Sequence, residues 1–420
     1  MTLRRIAIGA GLCAVVLGAI TIAVLRSDWF REQVRMKLVR EIGIATGARV
    51  ELGSFDFNWH RLEVELKGVV LHGREQPAQA PLFLARRILL TLGPATLLER
   101  RLDLRQLRIE QPEAHIYVAD DGTTNLPRPA APAKGNVIED LLRLKVGEAE
   151  IVEGTAEVAL RKFDFTGRII GLDTKLGYAN APDRYETQLK IERIETRALP
   201  ALGVQGAFAL ESKRLTARDL RISIKDDGKR HTGGKTWIVV NGALNDFVHP
   251  SASGTYSSEV DIADLPSTVL PAGTFKLGGE WNWSPGDWGA VARIQAKGLE
   301  FVIAGRHAMV DSAQGRCELG ARGIRCGALR AAALGGLFAG SGGWLDWERL
   351  EISGAIQNAQ VQRVRPLLDF LPAAWDGRAS GHAHFEAAWA GGDLSRAVLG
   401  GKFQVAAVPD AWPLQGDVDF

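Results

Sequence analysis

The sequence predicts a mainly β chain behind a single N-terminal transmembrane helix, and three observations carry that prediction. Residues 6–25 are a 20-residue uncharged run bracketed by Arg4, Arg5 and Arg26. Apolar and polar residues alternate with period two in many short segments, the signature of half-buried strands. The 47 Gly are scattered rather than periodic, which marks turns between those strands.

The uncharged run, with Ile6, Leu12, Val16, Ile20 and Leu25 along it, is long enough to cross the roughly 30 Å hydrocarbon core once. A cleaved signal peptide has an apolar stretch of only about 7–15 residues and a small-x-small end, whereas this run ends in Ile22, Ala23, Val24 and Leu25. Cations do not set the orientation, since Arg26, Arg31, Arg35, Lys37 and Arg40 outnumber Arg4 and Arg5. The reading adopted is a short cytoplasmic tail, a single-pass anchor and the bulk of the chain beyond the membrane.

Residues 29–46 then read as an amphipathic helix, because Phe30, Val34, Leu38 and Ile42 recur every four residues and Gly47 can stop it. A second short helix is expected over 137–144, capped by Asn136, with Ile138, Leu141 and Leu142 on one face. Elsewhere the period is two. Leu62, Val64 and Leu66 alternate with Glu63, Glu65 and Lys67; Tyr185, Leu189 and Ile191 alternate with Glu186, Gln188, Lys190 and Glu192. Leu220, Ile222 and Ile224, then Leu299, Phe301 and Ile303, then Phe403 and Val405 follow the same rule. At about 12–15 residues per strand and turn, the chain holds about 25 strands. Stacked about 4.8 Å apart in one sheet, they would extend about 120 Å. Residues 127–132 (PRPAAP) and 226–234 (DDGKRHTGG) interrupt the pattern. A weak repeat, Leu270-Pro271 and again Leu371-Pro372, each between strands, favours an elongated array.

With 51 Lys+Arg against 49 Asp+Glu, the chain lacks the cationic surplus of a nucleic-acid binder. No nucleophile elbow, phosphate loop or zinc-ligand pair occurs, so no catalytic residue, cofactor or metal is assigned. His382, His384 and Glu386 would share one face of a strand, either as ordinary solvated positions or as metal ligands. Cys13 lies in the anchor. If Ala321-Arg322 is a two-residue hairpin loop, Cys317 faces Cys326 at a separation of about 4.5 Å, which permits a disulfide in an oxidising compartment. The alternative is two unpaired small core residues.

From the anchor to Pro127 the chain resembles the AsmA-like family, and within it the TamB-like (translocation and assembly module) branch. The resemblance rests on ordered pieces: Thr46-Gly47-Ala48-Arg49-Val50, Leu52-Gly53-Ser54, Leu66-Lys67-Gly68-Val69 ending a strand, Arg86-Arg87-Ile88, Leu97-Leu98, Leu107-Arg108-Ile109-Glu110-Gln111-Pro112 and Asp121-Gly122-Thr123-Thr124-Asn125-Leu126-Pro127. Leu334-Gly335-Gly336 and Ile352-Ser353-Gly354, leading to Asn358 and Val361, look like the family's repeated body. The resemblance implies a bacterial inner-membrane protein whose periplasmic part is a long antiparallel β-sheet curled into an open groove, serving outer-membrane biogenesis and lipid transport. It divides the chain into 1–26 (tail and anchor), 27–134 (helix and first sheet region) and 135–420 (repeated groove). The family's C-terminal domain, which meets an outer-membrane partner protein, has no counterpart here, so the chain is expected to be part of a longer protein.

Alternating strands leave an apolar face, and apolar surface in water costs about 25 cal/mol per Å². Either two sheets cover each other, or one curved sheet holds phospholipid chains in a trough lined by Leu62, Val64, Leu66, Leu189, Ile191, Leu220, Ile222, Ile224, Phe301 and Ile303. A scaffold for outer-membrane protein assembly, using strand edges, is the competing function.

Overall fold

The computed structural model describes residues 27–76, 79–93, 104–127, 146–179, 183–197, 200–225, 235–265, 272–303, 306–367, 375–390, 393–407, 412–413 and 416–419. The expected anchor, the helix over 137–144, the excursion 226–234 and both Leu-Pro pairs lie outside these residues. Among the described residues no helix is long and apolar enough to cross a membrane. The chain is mainly β with few helices and divides into two compact units, Met1–Arg197 with Leu210–Ser212, and Ala198–Ala209 with Lys213–Phe420.

The first unit begins with helix α1 (Asp28–Thr46). The Ser27 side chain accepts from the Phe30 amide at its start, and Gly47 closes it. Strands β1 (Arg49–Asn58), β2 (Glu63–His72), β3 (Phe83–Leu92) and β4 (Leu104–Val118) pair antiparallel in sequence order. Strand β5 (Glu148–Leu160) then joins β4 in parallel, and β6 (Phe165–Ala179) and β7 (Arg184–Thr196) continue antiparallel. The purely antiparallel sheet expected from the sequence is therefore broken once. The connection from β4 to β5 is long enough to return the chain to the same end, which parallel pairing requires. It also carries this unit past residue 134, where the sequence-based division fell.

In the second unit come β8 (Leu202–Leu210), β9 (Arg214–Ile224), β10 (Trp237–Asn245), β11 (Ser251–Asp261), β12 (Ala272–Ser284) and β13 (Asp287–Ile303). There follow β14 (Arg306–Gly320), β15 (Gly323–Ala333), β16 (Gly336–Leu345), β17 (Arg349–Gln360), a single helical turn α2 (Val361–Val364), and β18 (Trp375–Asp376). Strands β19 (Arg378–Ala390), β20 (Asp393–Ala406), β21 (Trp412–Pro413) and β22 (Gly416–Asp419) complete it. From β9 to β17, and on through β19 and β20 to β22, each strand pairs antiparallel with the next; β18 and β21 form a separate parallel pair.

One irregularity recurs. Gly68 in β2, Gln111 in β4, Glu153 in β5, Gly171 in β6, Asp219 in β9, Gly298 in β13, Ala328 in β15 and Asn358 in β17 all have φ between 48° and 65° in mid-strand. Such a residue shifts the side-chain alternation by one and bends the strand. At Gly68 (φ 61°) the shift lets Leu66 and Val69, three residues apart, share one face. A straight strand would put them on opposite faces. The segment Leu66-Lys67-Gly68-Val69 thus lies inside β2 and does not end it. Side chains of the adjacent strand serve several of the displaced amides. Glu153 N–H donates to Asp173 Oδ1 (3.0 Å), Asp219 N–H to Asn241 Oδ1 (2.8 Å) and Asn358 N–H to Ser380 Oγ (2.9 Å).

Candidate functional site

The register of the strands assembles apolar side chains into transverse rows. In the first unit Phe55, Leu66, Ile88, Ile109, Ile151, Thr174 and Leu189 are successive partners across β1 to β7. A second row runs through Val64, Leu90, Leu107, Ala149, Leu176 and Thr187, and Leu172 opposes Ile191 on the same face. Leu52, Leu66, Val69 and Ala85 form the buried core here, with Leu38 and Val39 of α1 packed on it. Arg35 also donates to the Leu52 carbonyl (2.8 Å), so the helix occupies a backbone acceptor of β1.

In the second unit one row passes through Leu220, Val240, Tyr256, Gly279, Ala292, Cys317, Cys326, Gly342, Ile352 and Phe385. A parallel one passes through Val260, Phe275, Ala296, Ala313, Ala331, Phe338, Ile356, Gly381 and Phe403. Ile222 faces Ile238 beside the first row, Ile224 is buried at the end of β9, and Phe301 faces Ala308. Cys317 and Cys326 form a disulfide on this face, across the hairpin whose loop is Ala321-Arg322.

Most of the trough residues expected from the sequence fall on these two apolar faces. Leu62 does not belong to the set: it sits in the turn before β2 at φ 50°, so strand alternation does not govern its direction. Ile303 is the last residue of β13.

The opposite face is polar, most regularly in the first unit. Glu65, Arg87, Glu110, Arg108 and Glu150 alternate in charge across β2 to β5. The separations are 2.5 Å for Arg87–Glu65, 3.6 Å for Arg87–Glu110, 3.0 Å for Arg108–Glu110 and 2.5 Å for Arg108–Glu150. Burial works to raise the Glu65 carboxyl, but hydrogen bonds from Arg87 and Lys67 outweigh it and hold it below the usual range. The Glu65 hydrogen bond raises Arg87 in turn. In the second unit, the polar face of β13 to β17 carries an open cleft of about 730 Å³ edged by Gln295, Lys297, Gln314, Arg330 and Gln357. Exposed Leu337 also lines it.

His382, His384 and Glu386 lie on the polar face of β19, with His384 Nε2 3.8 Å from Glu386 Oε2. Among the described residues no group of three or more His, Cys, Asp or Glu is placed to hold a metal. The loop Asp121–Pro127 is structural at its centre. Asn125 is buried, its Oδ1 accepts from Tyr117 N–H (2.9 Å), and its Nδ2 donates to the His115 carbonyl (2.7 Å), pinning the loop to β4.

Two features were not read from the sequence, the bulge positions and the row order. The first has a local signal: apolar residues three apart around a Gly, Gln, Glu, Asp or Asn. The sequence matches no protein-family model and no curated protein.

Proposed function

We propose that this chain is a TamB-like member of the AsmA-like family, anchored in a bacterial inner membrane by residues 6–25. Its β-sheet faces conduct phospholipid chains through the periplasm in support of outer-membrane biogenesis. The observation that carries the reading is the order of mostly apolar side chains, interrupted only by Thr and Gly in the rows described, from strand to strand within each unit. A single side chain binds one point of a ligand; a row perpendicular to the strands offers a track along which an acyl chain can slide.

The energy scale suits the task. Exposing a 16-carbon chain to water costs on the order of 12 kcal/mol at ~0.8 kcal/mol per methylene, and rows of Leu, Ile, Val, Phe and Ala return most of it. Headgroups stay wet, so transfer needs no covalent chemistry and no catalytic residue. The competing scaffold function needs free strand edges, and the Arg35 contact to the Leu52 carbonyl blunts the β1 edge instead.

Mass spectrometry of the purified full chain tests the proposal. Phospholipid should co-purify, and Ile222→Glu or Phe301→Glu should reduce it while strand content by circular dichroism is kept. Absence of lipid from the wild-type chain overturns the reading.

A further inference from the structure

The apolar face of the second unit is not uniform along its strands. The hairpin turns β12–β13, β14–β15 and β16–β17 lie side by side, since Gly289 pairs with Gly320, Gly320 with Gly323, and Gly323 with Leu345. Tryptophans collect at that end. Trp283 and Trp288 face each other across the first hairpin and are 42% and 41% exposed. Trp281 begins a row that runs through Ala290, Leu319 and Ile324 to Trp344, which packs edge-on against Trp347 at 5.3 Å. The other end of these strands is finished by helical turns in which Ile262 and Val361 are buried.

Trp281 adds a second, independent sign. Its indole lies against the sheet over Gly242, where a Cβ would sit 2.7 Å from Trp281 Cζ2, so only glycine admits the ring there. Its Nε1–H is buried and has no hydrogen-bond partner among the described residues. A buried donor without an acceptor is costly, and native structures rarely keep one unless a ligand or water completes it. Indoles combine an apolar body with one donor and therefore settle where hydrocarbon meets polar groups.

We infer that the tryptophan end of β12–β17 is the lip that holds the ester zone of a diacyl glycerophospholipid. The acyl chains run inward from that end, across the apolar rows. An ester carbonyl accepts from Trp281 Nε1–H, and the headgroup passes between Trp283 and Trp288 into water. This rests on the lipid-conducting reading and adds the orientation of the lipid within it.

The test uses the full chain in detergent, reloaded with phosphatidylcholine dibrominated either near the ester or near the chain terminus, with loading measured by mass spectrometry. Near-ester bromines should quench tryptophan emission more strongly than near-terminus ones. The excess should vanish in the variant Trp281→Phe, Trp283→Phe, Trp288→Phe, Trp344→Phe, Trp347→Phe, which removes every tryptophan placed at this end, and persist in Trp237→Phe, whose ring stacks with Arg221 at 4.7 Å. Trp281→Phe alone should retain lipid about fivefold more weakly, the equivalent of one neutral hydrogen bond at about 1 kcal/mol. Equal or reversed quenching, or an excess that survives in the five-site variant, overturns the orientation while leaving lipid binding intact. Failure of either lipid to load overturns the trough itself and the lip with it.

Discussion

The two units build the same kind of surface with different means. In the first, the apolar rows are mainly aliphatic, helix α1 lies on Leu52, Leu66 and Val69, and a ladder of alternating charges crosses the back. The rows of the second instead run through Gly279, Ala292, Gly342 and Ala331 between occasional aromatics, and a disulfide crosses one hairpin. Large interlocking side chains stabilise by burial, so the first unit's strength lies in its packing. Small ones leave room above the sheet, so in the second unit backbone pairing, the disulfide and the tryptophan end must hold the strands in order.

If that contrast is right, core truncation strikes the first unit hardest. Leu66→Ala or Leu52→Ala should cost about 2–5 kcal/mol in denaturant unfolding, because each leaves a cavity under α1. A cost below about 1 kcal/mol would mean that the helix does not hold the core and would erase the distinction.

Next in size is the disulfide. Opening the Cys317–Cys326 bridge with a reductant, or by Cys326→Ser, should remove about 2–3 kcal/mol for so short a loop. Hydrogen exchange should rise in β14 and β15 and stay unchanged in β1 to β7. Matching changes in both units would show that they are not separately held.

The bulge acceptors give a smaller effect that should appear in both units alike. Asp173→Ala in the first and Asn241→Ala in the second each leave one displaced amide without its side-chain acceptor. The expected cost is about 0.5–1.5 kcal/mol, read from thermal unfolding. A null result at both sites would mean water replaces the acceptor.

The charge ladder is worth least. A double-mutant cycle on Glu65 and Arg87 should return about 0.2–1 kcal/mol, falling with added salt. The Glu65 carboxyl is held below its ordinary range in the folded chain. Its contribution is therefore fully present above the unfolded-state value and lost as pH falls through the lower folded value. Glu65→Gln should flatten that part of the acid-unfolding profile, and an unchanged profile would remove the ladder from the comparison.

Much of this was legible in the residues themselves. The helix was written in Phe30, Val34, Leu38, Ile42 and Gly47, and the strands in alternations such as Leu220, Ile222, Ile224. The facing of Cys317 and Cys326 could be read from the hairpin between them. Less visible was Leu62, which continues the alternation of Val64 and Leu66 in sequence but belongs to a turn, because nothing local distinguishes a strand's first residue from the one before it. The segment around Gly68 is expected from the sequence to end a strand; in the sheet Gly68 lies within β2 at φ 61° and its neighbours keep their register with β1 and β3.

Strand content, apolar faces and the α1 stripe were determined by the sequence alone, since side-chain direction along an extended or helical backbone repeats over a few residues and needs no distant partner. Tertiary structure alone decided that β5 joins β4 in parallel and that amides at Glu153, Asp219 and Asn358 find acceptors one strand away. It also decided that tryptophans distant in sequence meet at one end of β12–β17. Each of these depends on which strand lies beside which and in what register, a choice made by non-local pairing and closed by chain connections far longer than any local pattern.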